Sequence, residues 1–570
     1  MPENMRAFWR FLMIKDLPAD SLAATATAVF GLGDSSYQLY NIASKKLYRR
    51  LEQLGSVSLC PRGEGDDQHR LGPDGGLDPW LADSFWPAVL DRYPLPDGFA
   101  MGDAGALPAP PVTVTFREAS HDGAEATPAA DPAQAEADAI ADDVHSPPPD
   151  LEPAARFDAY GPDNPFPARL VSNDRITAPG CDQDVRHIVL DLWSAAAGER
   201  STLPPPRYGP GDVVCIRPRN LTWLVDAFLE RLSLDGSALV DLSVRPGRED
   251  LTLPDAFVAA GPGGGVTIRE LCTGYFDLTA PPRRYFFELG QHFTESEMER
   301  EQLAYFGSTD GQEDLHRYNQ RESRTVVEVL EDFPGLAPPL AYLFDMLQPI
   351  QARAFSIASA AALEPGQIHV ALAVVAYKTV IRRPRWGLCS AWLAGLDAGA
   401  VLPIWTRRGT MRLPPDPTTP IIMVGPGTGV APFRNFVRTR ITEAGGTADG
   451  GANVLFFGCR REAEDYIFRD EWETLAGAGL VEVFTAFSRD QADKVYVQHR
   501  LAEQGARVWD LLSAAGAHFY VCGNAQRMPL DVREAVVTIA MDEGGLSEEE
   551  AADFVRSLEK GGRYEYDTWY

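Results

Sequence analysis

Positive charge is in short supply in this sequence. Its 570 residues hold 52 Lys and Arg against 81 Asp and Glu, a net charge of −29. A nucleic-acid surface needs clustered cations, so this balance argues against a nucleic-acid partner. Cysteine is also sparse. Cys60, Cys181, Cys215, Cys272, Cys389, Cys459 and Cys522 are scattered without CxxC or any other ligand spacing. That pattern favours a reducing compartment, and no structural metal site is expected. No apolar run reaches the length of about 18 residues needed to span a bilayer. The first residues carry a helical stripe, Met5, Phe8, Trp9, Leu12 and Met13, broken by charge. This reads as a packed helix rather than a signal peptide, and the expected location is cytoplasmic, with no membrane contact.

What is present is a chain long enough for about three or four domains. Residues 1 to about 96 alternate helix and strand. Thr25 to Phe30 reads as a strand, Gly31 to Tyr37 as a turn, and Asn41 to Leu54 as an amphipathic helix stopped by Gly55. A second strand, Val57 to Cys60, runs into the glycine and aspartate stretch Gly63 to Asp67, followed by a helix around Trp80 to Val89. Alternation of this kind implies a parallel sheet with its ligand loops at the carboxyl ends of the strands. From 97 to 165 the composition turns to Ala, Pro, Asp and Glu, with no Lys or Arg between Ser120 and Pro153. One-sign charge with little apolar surface predicts a disordered linker. Within that stretch, the alternation of Val112 to Phe116 predicts one short strand. Antiparallel strands separated by Pro and Gly turns resume at Phe166, with helical patterns dominating from about 221 to 347, as in a barrel carrying an insertion.

The stretch Pro420 to Arg434, PIIMVGPGTGVAPFR, is a short apolar strand that breaks into Gly425, Gly427 and Gly429, with Thr428 between the last two, and then opens a helix. Glycines allow close backbone approach to a phosphate, and unpaired N–H groups at a helix start favour anions. The following strands end in basic and hydroxyl residues. Arg460 and Arg461 follow Val454 to Phe457; Ser488, Arg489, Lys494, Tyr496 and Gln498 follow Val481 to Phe484. An NAD-specific fold carries an acidic residue after its second strand, whereas cations and hydroxyls suit a 2′-phosphate, so NADPH is the expected nucleotide. Upstream, RAFS (Arg353, Ala354, Phe355, Ser356) sets a cation, an aromatic and a hydroxyl along one strand. GLCS (Gly387, Leu388, Cys389, Ser390) opens a helix suited to a second phosphate.

In the order RAFS, GLCS, GPGTGVAP, FGCRR, SR…KVYVQ and a terminal Trp, these motifs resemble the ferredoxin–NADP reductase family, and within it the diflavin reductases typified by cytochrome P450 reductase. The resemblance runs from Phe166 to the end, and the FGLGDSSY loop resembles the back part of a flavodoxin-like domain. It implies a multidomain α/β plus β-barrel protein. Its parts are a partial flavodoxin-like domain (1–96), the linker (97–165), an FAD-binding barrel with helical insertion (166–415) and a Rossmann-like NADP-binding domain (416–570). The first strand, the phosphate loop and the second flavin loop of a flavodoxin-like domain have no counterpart, hence "partial". Implied for FAD are Arg353, Ala354, Phe355, Ser356, Gly387, Leu388, Cys389, Ser390 and Trp569. For NADP they are Gly425, Gly427, Thr428, Gly429, Arg460, Ser488, Arg489, Lys494, Tyr496, Gln498 and Asn524. For FMN they are Gly31, Leu32, Gly33, Asp34 and Asp67, with Tyr37 stacked on the ring. Ser356, Cys522, Asp567 and Trp569 are the implied catalytic group.

The stretches VSNDRITAPGCDQDVRHIVLDL, Leu271 to Leu278 and ESRTVVEVLEDFP resemble most the NADPH-dependent diflavin oxidoreductases of cytosolic iron–sulfur assembly. An anamorsin-type iron–sulfur protein is then the implied electron acceptor. Two other readings stand beside it: a single-flavin NADPH dehydrogenase that uses FAD alone, and a non-catalytic interaction protein that keeps the folds as docking surfaces.

Overall fold

The computed structural model describes residues 5–35, 40–96, 106–117, 160–193, 205–248, 251, 253–254, 257, 265–447, 451–525 and 527–569. The acidic linker therefore lies outside the described residues except at 106–117 and 160–165, and Tyr37 lies outside them as well. In the front segment, Phe30–Gly33 pairs in parallel with Gly63–Asp66, and Ala26–Thr27 with Val57–Ser58. The predicted turn at Gly31 is thus corrected in part, because Gly31, Leu32 and Gly33 are strand. The reason is packing. A β-carbon on Gly31 would sit 2.2 Å from Ser44 Oγ, and one on Gly33 would sit 2.9 Å from the Asn41 amide carbon, so glycine lets the helix Ile42–Gln53 lie on the strand. That helix buries Leu51 together with Leu54, Leu12 and Val29 in a small core. Arg284 and Gln312, both in the helical insertion, hold the Asp78 carboxylate and so fasten the front segment to it.

Six antiparallel strands form the barrel, in the order Arg353–Ser356, Val213–Ile216, Val401–Arg407, Phe166–Arg175, Val185–Asp191 and Gln367–Ala373. A bridge between Ile357 and Val370 joins the two outer strands and closes it. Tyr160 packs in the barrel core, so the folded region includes residues just before Phe166. The insertion has its own core, in which Phe228, Phe276, Phe286 and Phe287 are fully buried. The Val112–Phe116 strand pairs antiparallel with Leu239–Val244 on this core, and Arg117 grips Asp241 through two hydrogen bonds of 2.9 and 2.7 Å.

The last part is a five-stranded parallel sheet in the order Glu482–Phe487, Asn453–Cys459, Ile421–Val424, His518–Asn524 and Tyr564–Trp569. Chain order reverses at Ile421–Val424, which opens a crevice at the carboxyl ends beside that strand. The final strand, Tyr564–Trp569, had no sequence signature of its own. Because it runs parallel to the others, it delivers Asp567 and Trp569 to the same edge of the sheet.

Barrel and sheet are locked together through the helix Ala431–Glu443 that follows the glycine turn. Arg434, 5% exposed, donates to Ala358 O at 3.0 Å and pairs with Glu471 at 2.8 Å, while Asn435 donates to Ile357 O at 3.4 Å. These carbonyls lie one and two residues beyond Ser356. Glu471 keeps Arg438 as a second partner at 3.1 Å, so loss of Arg434 removes one of two cations and leaves Ala358 O without its donor, a cost of about 1–3 kcal/mol. Arg434→Leu is therefore expected to lower the unfolding free energy of the barrel and nucleotide domains by that much, read from denaturant curves followed by tryptophan fluorescence.

At the same junction, His187 and His369 touch at 3.2 Å, with the Phe468 ring set edge-on to His187. Burial and the nearby Arg434 push the His187 ring down to about 4, against the opposing pull of Asp174 and Glu471. Burial, His187 and Arg434 push His369 down to about 3. A depressed folded pKa contributes stability that is present above the unfolded value of about 6.5 and is lost as pH falls through the folded value. The melting temperature is expected to fall steadily from pH 6.5 toward 4, and a His187→Gln, His369→Gln double variant should flatten that slope.

Candidate functional site

The three glycines after Ile421–Val424 have different tasks. Gly427 has φ +56° with open space in front of it, so it shapes the turn and leaves the backbone uncovered. A β-carbon on Gly429 would lie 2.1 Å from Cys522 O, and one on Gly425 would lie 2.7 Å from the Phe433 ring. These two allow the turn to press against the neighbouring strand and its own helix. A 3₁₀ turn at Gly427–Val430 then leads into Ala431–Glu443. Pro426, Gly427 and Thr428 border a cleft of about 780 Å³, whose walls also include Gly458, Arg460, Ser488, Tyr496, Gln498, Asn524 and Trp569. Residues far apart in sequence thus share one cavity.

The cationic end of the cleft is built at the carboxyl ends of two adjacent strands. Ser488 N–H donates to Cys459 O at 3.0 Å and Arg489 N–H to Arg460 O at 2.8 Å, which sets the two arginines side by side. Asp465 accepts from the backbone N–H groups of both Arg460 and Arg461, fixing that turn. Arg461 pairs with Glu464 instead of joining the cluster. Tyr496 stands 42% exposed before the helix Val497–Glu503, and Gln498 donates to Asp531 at 3.3 Å. Lys494 is exposed in the preceding loop. One neighbour that sequence reasoning missed is Asp182, whose carboxylate lies within 4.0 Å of both Arg460 and Arg489.

Two residues before Trp569, Asp567 accepts at Oδ2 from Ser356 Oγ at 3.4 Å, which joins the barrel to the last strand. Burial pushes the Asp567 carboxyl up, while hydrogen bonds from the Ser356 and Thr410 hydroxyls pull it back. Thr410 was also missed, since no motif marks it. Cys522 is in register with Asp567, and Asn524 with Trp569. The Cys522 side chain is fully buried beside Met423 and Tyr520, and burial raises its thiol well above the usual range, with Asp567 adding to the effect. It is a neutral wall of the site rather than a thiolate. Trp569 is 40% exposed where the strand ends.

Arg353 is exposed, and Phe355 packs partly on the barrel core. Burial raises the Cys389 thiol to about 12, and Arg353, whose Nη1 donates to Gln351 O at 2.9 Å, opposes that shift from within electrostatic reach. Ser390 Oγ is already used: it accepts from Val375 N–H at 3.0 Å and donates to Gly387 O at 3.2 Å, holding the turn in shape. Leu388 and Cys389 are buried beneath that turn. Backbone N–H groups and Arg353 are the anion-seeking groups left there, a donor set that fits a pyrophosphate.

In the front segment, Gly31 to Asp34 form one wall of a second cleft, of about 700 Å³, whose facing wall includes Tyr566 and Thr568 of the last strand. Leu32 is 73% exposed. Asp67 N–H donates to Gly33 O at 2.8 Å, and Asp66 accepts from Ser35 and Gln68 N–H; the Ser35 hydroxyl first, and then these N–H groups, hold its carboxylate below the usual range. The ends of these two paired strands are thus joined by the Gly33–Asp67 backbone bond and by the Asp66 carboxylate.

Three family profiles match the chain. The profile described as FAD binding domain matches residues 160–392, oxidoreductase NAD-binding domain 423–534, and flavodoxin 1–80. The chain is 42% identical to NADPH-dependent diflavin oxidoreductase 1 of Danio rerio and 42% to that of Bos taurus, in each case over its full length and 89% of the relative. It is 37% identical to the Arabidopsis thaliana protein of the same name, with the same coverage. A flavin-suited strand, a nucleotide cleft with a basic end and a full-length match of this closeness agree, and the chain belongs to the NADPH-dependent diflavin oxidoreductases, a family of flavoprotein enzymes.

Proposed function

We propose that this enzyme takes hydride from NADPH at the Ser356–Asp567 end of the cleft and passes electrons through FAD and FMN to an anamorsin-type iron–sulfur protein, in cytoplasmic iron–sulfur cluster assembly. The supporting observation is convergence. The glycine turn, Arg460, Ser488 and Trp569 line one cleft; Arg489 is bonded to Arg460, and the Ser356–Asp567 contact stands on the strand that ends in Trp569. The similarity of Leu271 to Leu278 and of the 322–334 stretch to the iron–sulfur subfamily supports the choice of acceptor.

In this reading Gly427, Thr428 and Asn524 hold the nucleotide's middle and nicotinamide end, and Tyr496 and Gln498 its adenine. Ser488, Arg489, Arg460 and Lys494 take the 2′-phosphate. Arg353 and the first turn after Gly387 hold the FAD pyrophosphate, with Phe355, Ser356 and Trp569 against the ring. Gly31, Leu32, Gly33, Asp34 and Asp67 border FMN. Bound FAD supplies the hydride-accepting nitrogen and the ability to release electrons singly. The protein's own share is alignment and charge. Ser356 Oγ and Asp567 Oδ2 hold or release a proton beside the reacting ring, and Cys522 and Trp569 keep water away from it.

The test is anaerobic mixing of the purified enzyme, NADPH and an anamorsin-type protein with an oxidised cluster. Reduction of the cluster, with FAD and FMN extracted in equal amounts, supports the reading. An enzyme that reduces ferricyanide and dyes but leaves the cluster oxidised contradicts the acceptor, and FAD extracted alone contradicts the two-flavin path.

A further inference from the structure

The barrel sends one carboxylate into the basic end of the cleft. Asp182 Oδ2 lies 3.9 Å from Arg460 Nη1 and 3.7 Å from Arg489 Nη1. It stands on the short turn between the strands Phe166–Arg175 and Val185–Asp191, and that turn is held at several points. Thr177 Oγ1 donates to Gln183 O at 2.8 Å and accepts from Val185 N–H at 3.1 Å. Cys181 N–H donates to Ala178 O at 2.9 Å, and Arg175 Nη2 donates to Cys181 O at 2.9 Å. The turn is also tied to the nucleotide domain itself, because Ala178 N–H donates to Glu464 O at 2.8 Å. Asp182 is therefore delivered to the arginines by an anchored backbone.

As a stabilising ion pair the arrangement achieves little. The Asp182 side chain is 78% exposed, and exposed pairs at this separation contribute almost nothing to folding. Its position matters in another way. A phosphate monoester carries between about −1.5 and −2 charges at neutral pH, and it would seek the same two guanidinium groups that Asp182 faces. Both anions cannot occupy them without repulsion, because they would lie well within the Debye length of about 8 Å.

We propose that Asp182 is a resident anion of the 2′-phosphate site, which a phosphorylated nucleotide must displace. It thereby weakens NADPH and NADP⁺ alike, speeds release of the oxidised product, and sets how strongly the enzyme discriminates against NADH. This rests on the assignment of Arg460 and Arg489 to the 2′-phosphate.

The test uses the full-length holoenzyme and two fragments of the nucleotide, 2′,5′-ADP and 5′-AMP, titrated calorimetrically against wild type, Asp182→Asn and Arg489→Ala. Asp182→Asn is expected to bind 2′,5′-ADP about threefold to tenfold tighter, with 5′-AMP unchanged, and to lower KM for NADPH but not for NADH. Unchanged or weaker 2′,5′-ADP binding by Asp182→Asn, alongside a selective loss in Arg489→Ala, overturns the proposal and leaves the phosphate site standing. Undiminished 2′,5′-ADP binding by Arg489→Ala overturns the site and the proposal with it.

Discussion

Arg489→Ala is expected to weaken NADPH binding by about 10- to 100-fold and to leave NADH within about twofold, the range for loss of one charge-assisted contact to a phosphate. The selectivity follows from position. Arg489 is fixed at the end of the Glu482–Phe487 strand by its N–H bond to Arg460 O, and its side chain is about half exposed toward the basic end of the cleft. Asn524 and Trp569, proposed above for the nicotinamide end, line another part of the cleft that Arg460 borders. On that proposal a change at Arg489 is expected to alter the 2′-phosphate contact and not the ring's. The ratio of KM values for the two nucleotides measures it, and an equal loss for both would remove the phosphate assignment.

Asp567→Asn should slow flavin reduction by about 10²-fold, within the range for a positioned acid or base, while making the protein harder to unfold at neutral pH. Both halves come from burial. The Asp567 carboxyl is pushed up from its ordinary 3.8 chiefly by desolvation. A group with a raised folded pKa contributes stability that is full below its unfolded pKa and is lost as pH rises through the folded one. At neutral pH the ionised carboxylate is therefore a cost to the fold, which the neutral amide removes while still accepting from Ser356 and Thr410. Stopped-flow reduction and melting curves at pH 7 read the two effects. Slower reduction with lowered stability would mean that the residue is merely structural.

Much of this site could be read from the sequence, because its parts are contiguous and chemically marked. The turn Gly425 to Gly429 announces itself by glycine spacing, Arg353 to Ser356 by strand alternation, Arg460 by a basic residue where an acidic one would signal NAD, and Ser488 and Arg489 by a hydroxyl and a cation after the next strand. What escaped has no local signal. Thr410 and Asp182 reach the site through tertiary contacts from loops whose composition is ordinary. The strand Tyr564–Trp569 mixes exposed and half-buried positions at the edge of the sheet, so its pattern is weak, and only the parallel pairing with His518–Asn524 defines it. Gly31 and Gly33 misled in the opposite direction. Glycine signals a turn, but here it admits the Asn41 and Ser44 side chains against a strand, a packing demand visible only in three dimensions.

In the proposed reaction NADPH delivers hydride to a flavin held between Arg353, Ser356 and Trp569. Anaerobic mixing of the holoenzyme with NADPH or with NADH, following the flavin absorbance in time, is the direct test. The flavin is expected to bleach rapidly with NADPH and slower by about an order of magnitude or more with NADH, and Arg489→Ala is expected to lose that preference. A flavin that stays oxidised with NADPH, or bleaches equally fast with both nucleotides, would contradict it.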